Sequence, residues 1–273
     1  MTDLVLRPLR LGEILDRTFF LYRQHFLLFI GIAGIPQLLI LPLRLGQSWF
    51  TMTTTQDVWT VVSTTLVFWV AAVLAYLFSQ GGTILAVSEI YLGRTTSISG
   101  ALGRVWGNLG FLFGVIVLNV LVTLLGVLLL VIPGIYLACR LLVCVPVAML
   151  EERGPRDSLS RSFELTRDFA GRSFMILLLW VVISFAASLL FGVPFSTLML
   201  VSKNDPAAVR LWAELTQVGT TVANVLTTPI LLIATSVFYY DLRVRKEAFD
   251  IQFMMNPENT NAPGQTGMTS LFS

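Results

Sequence analysis

The residues of this chain that could perform acid–base or metal-assisted chemistry are few and poorly grouped. His25 is the single histidine among 273 residues, and its position at the start of an apolar run favours an interfacial aromatic role. Glu151 and Glu152 are adjacent carboxylates, but Arg153 and Arg156 follow them closely, a pattern typical of a solvated, salt-bridged turn. Hydrolysis requires a positioned general acid and base, or a metal ion held by several ligands. The sequence therefore predicts no catalytic residue, no metal site and no cofactor.

Arg140 is the residue that most needs an explanation, because it stands inside the apolar segment IYLACRLLVCVPVAML at residues 135–150. Counted along a helix from Glu151, it lies about 16 Å deep, near the middle of a bilayer. An unpaired arginine there costs at least about 2.5–3.5 kcal/mol, so polar partners are expected. Counting depth along the other apolar runs gives the candidate partners of this midplane polar layer: Asn119, Gln80, Ser184, Thr227 and Thr228. Asn119 is the favoured partner.

Two hypotheses stay open for the midplane polar layer. In the structural one, Arg140 donates hydrogen bonds to Asn119, Gln80 and carbonyl groups, so Arg140→Leu should preserve the fold and Arg140→Lys should be worse. In the functional one, the layer lines a cavity that admits a lipid headgroup or another anion. The second hypothesis is supported by the lack of any acidic residue at that depth.

The composition indicates a membrane protein: 55% of the residues are hydrophobic and 12% are charged, with a mean hydropathy of +0.80. A soluble domain usually carries about 25% charged residues. Six runs are long enough to cross about 30 Å of hydrocarbon, at 25–46, 58–92, 108–132, 135–150, 172–201 and 205–246. The sequence predicts an all-α polytopic protein, with six helices in one domain over residues 1–251 and a disordered C-terminal tail over 252–273.

Glycine and proline pairs predict how these spans turn and cross. Pro133-Gly134 predicts a tight turn between the third and fourth spans, and Gly81-Gly82 predicts a bend or a close helix crossing in the second. The six spans are therefore expected to form three hairpins.

The distribution of basic residues predicts the orientation of the spans. Fourteen of the 18 Lys and Arg residues lie in the N-terminal segment, the second-to-third loop, the fourth-to-fifth loop and the C-terminal end. Positive charge marks cytoplasmic segments, so both termini are expected in the cytoplasm. The small net charge of +2 gives no indication of nucleic-acid binding.

The cytoplasmic segments also share a pattern, L-x-R-x-aromatic, at residues 15–19, 102–106 and 159–163, just before each odd-numbered span. The pattern predicts an internal repeat in which a short amphipathic interfacial helix precedes each hairpin. In one interpretation these short helices only lead the chain back into the membrane. In the other they form a basic collar that binds anionic lipid or a partner. Asp241 is interpreted as the partner of an arginine of this basic collar, rather than as a catalytic acid. The arginines assigned to the basic collar are Arg17, Arg23, Arg104, Arg161, Arg167 and Arg243.

Three stretches carry a resemblance to a known family: RPLRLGEILDRTFFLYRQHF, PGIYLACRLLVCVPVAMLEERGPRDSLSRSFELTRDFAGRSF and FYYDLRVRKEAFD. They resemble the membrane domain named after glycerophosphoryl diester phosphodiesterases, and the likeness runs to about residue 253. The resemblance implies a six-helix fold in a bacterial inner membrane. Fused members of that family carry their chemistry on a separate soluble barrel that this sequence lacks, so no phosphodiesterase activity is implied.

These observations predict a non-enzymatic bacterial membrane protein, a scaffold or accessory subunit, whose basic cytoplasmic face meets a membrane or cytoplasmic partner protein or anionic lipid headgroups. The alternative is a small transporter or lipid-handling protein that uses the polar layer around Arg140. An intramembrane enzyme is a third and weaker reading.

Overall fold

The computed structural model describes residues 8–53, 58–91 and 93–247, with side chains throughout except at residues 47–53. Within these ranges the chain is helical apart from short connections, as the sequence predicts. The predicted tail over 252–273 lies outside the described residues. The helices are α1 Leu11–Gln24, α2 Phe26–Thr53, α3 Val58–Tyr91, α4 Ile98–Gly107, α5 Leu109–Leu129, α6 Val131–Arg140, α7 Cys144–Glu151, α8 Pro155–Leu165, α9 Ala170–Phe191, α10 Val193–Val201 and α11 Pro206–Glu247.

Six segments are long and apolar enough to cross a membrane, which confirms the number and the approximate positions of the predicted spans. They are Phe26–Gly46, Val58–Tyr91, Leu109–Leu129, Val131–Glu151, Ala170–Phe191 and Pro206–Glu247. Many of their large apolar side chains are exposed on the outer surface of the bundle, where a soluble protein would present polar groups. A multi-pass membrane architecture follows.

The spans pack as three hairpins: α2 lies against α3, α5 against α6, and α9 against α11. One short helix precedes each hairpin, namely α1, α4 and α8, and each of them contains one copy of the L-x-R-x-aromatic pattern. Ser97 caps α4 by accepting a hydrogen bond from the backbone N–H of Gly100, whereas Pro155 opens α8 at a position suited to proline.

The Gly81-Gly82 pair lies where α3 approaches α2, α4 and α5. A Cβ atom at Gly81 would lie 2.9 Å from Val105 Cγ2, and one at Gly82 would lie 2.7 Å from Ile32 Cγ2. These distances are too short for a side chain, so the close crossing predicted from the sequence is confirmed. The helix itself continues through both glycines without interruption.

The turn between the third and fourth spans is not at Pro133-Gly134, and that prediction is wrong. The extended residue is Leu130, with φ −166° and ψ 151°, and α6 begins at Val131. Pro133 therefore lies in the first turn of α6, where its missing N–H needs no helical partner. Gly134 instead permits close packing on α5, because a Cβ there would lie 2.8 Å from the Val127 backbone nitrogen.

Candidate functional site

The guanidinium of Arg140 binds the end of α8. The fourth span is broken at residues 141–143, so Arg140 is the last residue of α6 and α7 begins at Cys144. Its Nη2 donates to the carbonyl oxygen of Phe163 at 2.5 Å. Its Nη1 donates to the Tyr136 hydroxyl at 3.1 Å and, over a longer 3.4 Å, to the carbonyl of Arg167. The guanidinium also lies over the rings of Tyr136 and Phe163, at 5.7 and 5.3 Å from their centroids.

The backbone of Arg140 is held from the same helix. The hydroxyls of Ser162 and Thr166 donate to its carbonyl oxygen at 2.8 and 2.9 Å. The last carbonyls of any α-helix lack helical partners, and a cation is favourable at that end of the helix dipole. α6 and α8 thus satisfy each other's C-terminal groups, and we call this contact the Arg140 clamp.

The prediction of a hydrogen bond between Arg140 and Asn119 is wrong. Asn119 Nδ2 donates instead to the carbonyl of Leu141 at 3.4 Å, while the guanidinium of Arg140 is directed to α8. Gln80 Nε2 donates to the Tyr76 hydroxyl at 2.7 Å. Counting residues along the spans placed Asn119 at the correct depth to within one residue, since Asn119 contacts Leu141, the neighbour of Arg140. The side chains of Asn119 and Arg140 nevertheless have different partners.

The other three residues of the predicted layer are not brought to Arg140 either. Thr227 donates to the carbonyl of Ala223 in its own helix at 2.9 Å. The hydroxyl of Ser184 is buried and has no partner within the described ranges. Thr228 is partly buried on α11. The midplane polar layer is therefore several separate sites rather than one.

Two residues of the layer, Gln80 and Asn119, line a cleft of about 400 Å³. The walls come from α3, α5, α11 and the broken fourth span. Its polar lining also includes Tyr76, Thr123 and Thr235, while its other lining residues are apolar. We call it the lateral cleft. Arg140, the residue around which the layer was predicted, does not line it.

Arg161 of the predicted basic collar is held in an ionic network. It pairs with Glu151 at 3.4 Å, with Glu164 at 2.9 Å and with Glu247. Arg243 pairs with Glu247 at 2.9 Å. The hydrogen bond and the charge of Arg161 lower the pKa of the exposed Glu164 carboxyl. Arg161 connects α8 to the ends of α7 and α11, whereas Arg243 pairs within α11, and the charges of both are matched by carboxylates of the same chain.

Two further collar arginines also have partners in the protein. Arg104 of α4 forms an ion pair with Glu89 of α3. Arg17 of α1 lies over the Tyr91 ring, 5.3 Å from its centroid. Both contacts attach a short helix to the end of α3.

Arg23 and Arg167 differ from the rest of the collar, because both are exposed and neither has an ion pair in the part of the chain that the structure describes. Arg156, which was not assigned to the collar, shares these properties. Arg23 is in the last turn of α1, Arg156 is in the first turn of α8, and Arg167 follows the end of α8. These three, which we call the open arginines, are available to an external anion.

Asp241 is the most deeply buried carboxylate of this face, with 2% of the residue exposed. It accepts hydrogen bonds from the backbone N–H of Leu9 at 2.6 Å and from Arg245 Nε at 2.9 Å. Arg172 pairs with it at 3.5 Å. The carbonyl of Leu9 accepts in turn from Arg245 Nη2 at 2.5 Å. Asp241 pairs with arginines, as predicted, but with Arg172 and Arg245 rather than with an arginine assigned to the basic collar. The cluster fastens the N-terminal segment to the end of α11.

His25 lies at the junction of α1 and α2, with its ring edge-on to Phe29 at a centroid distance of 6.5 Å. Within the described ranges, no three His, Cys, Asp or Glu side chains are grouped as metal ligands would be. The candidate functional sites are therefore the lateral cleft, the Arg140 clamp and the open arginines.

Comparison with known proteins gives no match to a protein family, to a curated protein or to a solved structure.

Proposed function

We propose that this chain is a non-enzymatic, multi-pass protein of a bacterial inner membrane that presents a basic cytoplasmic face to anionic lipid headgroups or to a partner protein. The excess of Lys and Arg on one side of the spans supports an orientation with both termini in the cytoplasm. The resemblance to the membrane domain of the glycerophosphoryl diester phosphodiesterase family supports the bacterial location, and membership of that family is part of the proposal.

The observation that carries this proposal is the set of open arginines. Arg104 and Arg161 pair with carboxylates of other helices, and Arg243 pairs with Glu247 of its own helix, so the charges of all three are matched within the chain. Arg23, Arg156 and Arg167 are exposed and have no such carboxylate within the described ranges. Each basic residue near an anionic membrane surface contributes about 1 kcal/mol of attraction. Three of them would together favour anionic over neutral headgroups by about a hundredfold.

The test is to count the lipids retained by the purified full-length protein in neutral detergent, using native mass spectrometry with equal amounts of phosphatidylglycerol and phosphatidylcholine. The wild type should retain phosphatidylglycerol preferentially, and rising salt should weaken the preference. The variant Arg23→Gln/Arg156→Gln/Arg167→Gln should lose it. Lys203→Gln, which removes an exposed charge from the opposite end of the spans, is the matched control. A triple variant that keeps the full preference would refute the role of these arginines in headgroup binding.

A second candidate function is lipid handling, and the lateral cleft favours it. The form of this hypothesis that places an anion on Arg140 has little support. The guanidinium is already bonded to the carbonyl of Phe163 in α8 and, over a longer distance, to that of Arg167 just beyond α8. A form in which an uncharged guest enters the lateral cleft is compatible with the neutral side chains that line it.

A further inference from the structure

We infer that the lateral cleft binds diacylglycerol, with the free hydroxyl of the lipid donating a hydrogen bond to the amide oxygen of Gln80. This inference rests on the second candidate function, lipid handling, and specifies its ligand. It does not depend on the open arginines, which lie on other helices.

The cleft opens on the surface that acyl chains would cover. On α5, the mouth is formed by Val120 and Leu124, which are 56% and 50% exposed. Asn119 lies at the midpoint of α5, which runs from Leu109 to Leu129, so it is about 15 Å from either end of that helix. A molecule that enters from the side would therefore meet polar groups near the middle of the bilayer.

The floor of the cleft has an acceptor group that needs a donor. Gln80 is 8% exposed, its Nε2 is bonded to the Tyr76 hydroxyl, and its Oε1 has no donor in the described part of the chain. Acceptors that are unpaired in apolar surroundings cost free energy, so a ligand hydroxyl would relieve that cost.

The charge of the lining decides which lipid can supply that hydroxyl. All the residues that line the cleft are uncharged, and the nearby guanidinium of Arg140 is bonded to Phe163 on α8. A phosphate or ammonium headgroup would lose its water there without gaining a counter-ion. A volume of about 400 Å³ is within the range of ligand pockets. Diacylglycerol is uncharged, carries acyl chains and has one free hydroxyl, so it fits these requirements.

The first experiment needs no variant. The full-length protein in detergent is titrated with dioleoylglycerol and with its methyl ether, which cannot donate, and binding is read by native mass spectrometry. Hydrogen bonds inside membrane proteins have modest strength, so the alcohol should bind about threefold to twentyfold more tightly than the ether. An equimolar amount of phosphatidylglycerol should not displace it.

The second experiment uses substitutions in the cleft. Gln80→Leu should abolish the preference for the alcohol over the ether, and Ala138→Phe should reduce the binding of both by filling the cleft. Ser184→Ala, which changes a polar residue outside the cleft, should bind like the wild type. The triple variant of the open arginines should also bind dioleoylglycerol like the wild type.

The outcomes of these experiments distinguish a failure of the diacylglycerol inference from a failure of the lipid-handling function. Equal binding of alcohol and ether, displacement by phosphatidylglycerol, or an unchanged preference in Gln80→Leu would overturn the diacylglycerol inference alone. Failure of the wild type to bind either dioleoylglycerol or its methyl ether would overturn both this inference and the lipid-handling function, whether or not phosphatidylglycerol binds the open arginines. If Gln80→Leu does not fold, the comparison of alcohol and ether in the wild type still decides the inference.

Discussion

Replacement of Arg140 by leucine should weaken the contact between α6 and α8, and replacement by lysine should weaken it less. The guanidinium satisfies carbonyls at the end of α8, and these carbonyls would stay in place without a donor in the leucine variant. Lysine keeps a charge at the same end of the helix dipole and can donate to one carbonyl at a time. This order is the reverse of the one expected for an arginine that faces Asn119.

The magnitude follows from the contacts of Arg140. Two of its hydrogen bonds, to the Phe163 carbonyl and the Tyr136 hydroxyl, have donor–acceptor distances of 2.5 and 3.1 Å, whereas the third is too long to count for much. Such bonds contribute about 0.6–1.7 kcal/mol each in membrane proteins, and a cation at a helix C-terminus contributes about 0.3–1 kcal/mol. Arg140→Leu should therefore lower the free energy of unfolding by about 2–4 kcal/mol and Arg140→Lys by about 1–2 kcal/mol.

The assay is unfolding of the purified protein in mixed micelles by increasing SDS, followed through the loss of helical circular dichroism. Arg156→Leu is the matched control, because Arg156 is exposed and such substitutions usually change stability by less than about 0.5 kcal/mol. A leucine variant as stable as the wild type, together with a less stable lysine variant, would refute the assignment of Arg140 to the clamp.

Three further predictions concern packing and orientation. Asp241→Asn should cost about 3–5 kcal/mol in the same SDS titration, because it removes one partner from a buried ionic cluster, and it should expose the N-terminal segment to protease; an unaltered titration would contradict this. Gly219→Ala should destabilise by about 1–3 kcal/mol, since its Cβ would collide with the Phe191 carbonyl oxygen. Gly107→Ala meets no atom within 4 Å and should be neutral, so equal stability of the two variants would count against the helix contact. The proposed orientation predicts opposite signals from topology reporters fused at the C-terminal end and after residue 204, and matching signals would exclude it.

The spans could be predicted from the sequence because bilayer thickness fixes the length of an apolar helix. The same reasoning misplaced the partner of Arg140. The depth count treated the chain from Glu151 to Arg140 as one straight helix, whereas the structure breaks it at residues 141–143. α8 then lies beside that break, a long-range packing arrangement for which local sequence carries no signal. Pro146 was the available clue to an interruption.

The lateral cleft was only partly predictable for a related reason. Gln80 and Asn119 were selected by depth, which a residue count can provide. The count cannot tell which side of a helix faces which neighbour, so it grouped them with Ser184 and Thr227, which do not line the cleft. Tyr76 was missed because a tyrosine in an apolar helix has no distinctive spacing.

The hydrogen bond from Leu9 to Asp241 sets an order of events during synthesis. The two residues are separated by 232 positions in the chain. At about 5–20 residues per second, a ribosome needs roughly 10–50 s to produce the intervening segment. During that time the backbone N–H of Leu9 lacks its Asp241 acceptor, and the first hairpin must remain in the bilayer without this hydrogen bond. The contact between Leu9 and Asp241 can form only after α11 has been inserted, so its formation shows that the last span is in place.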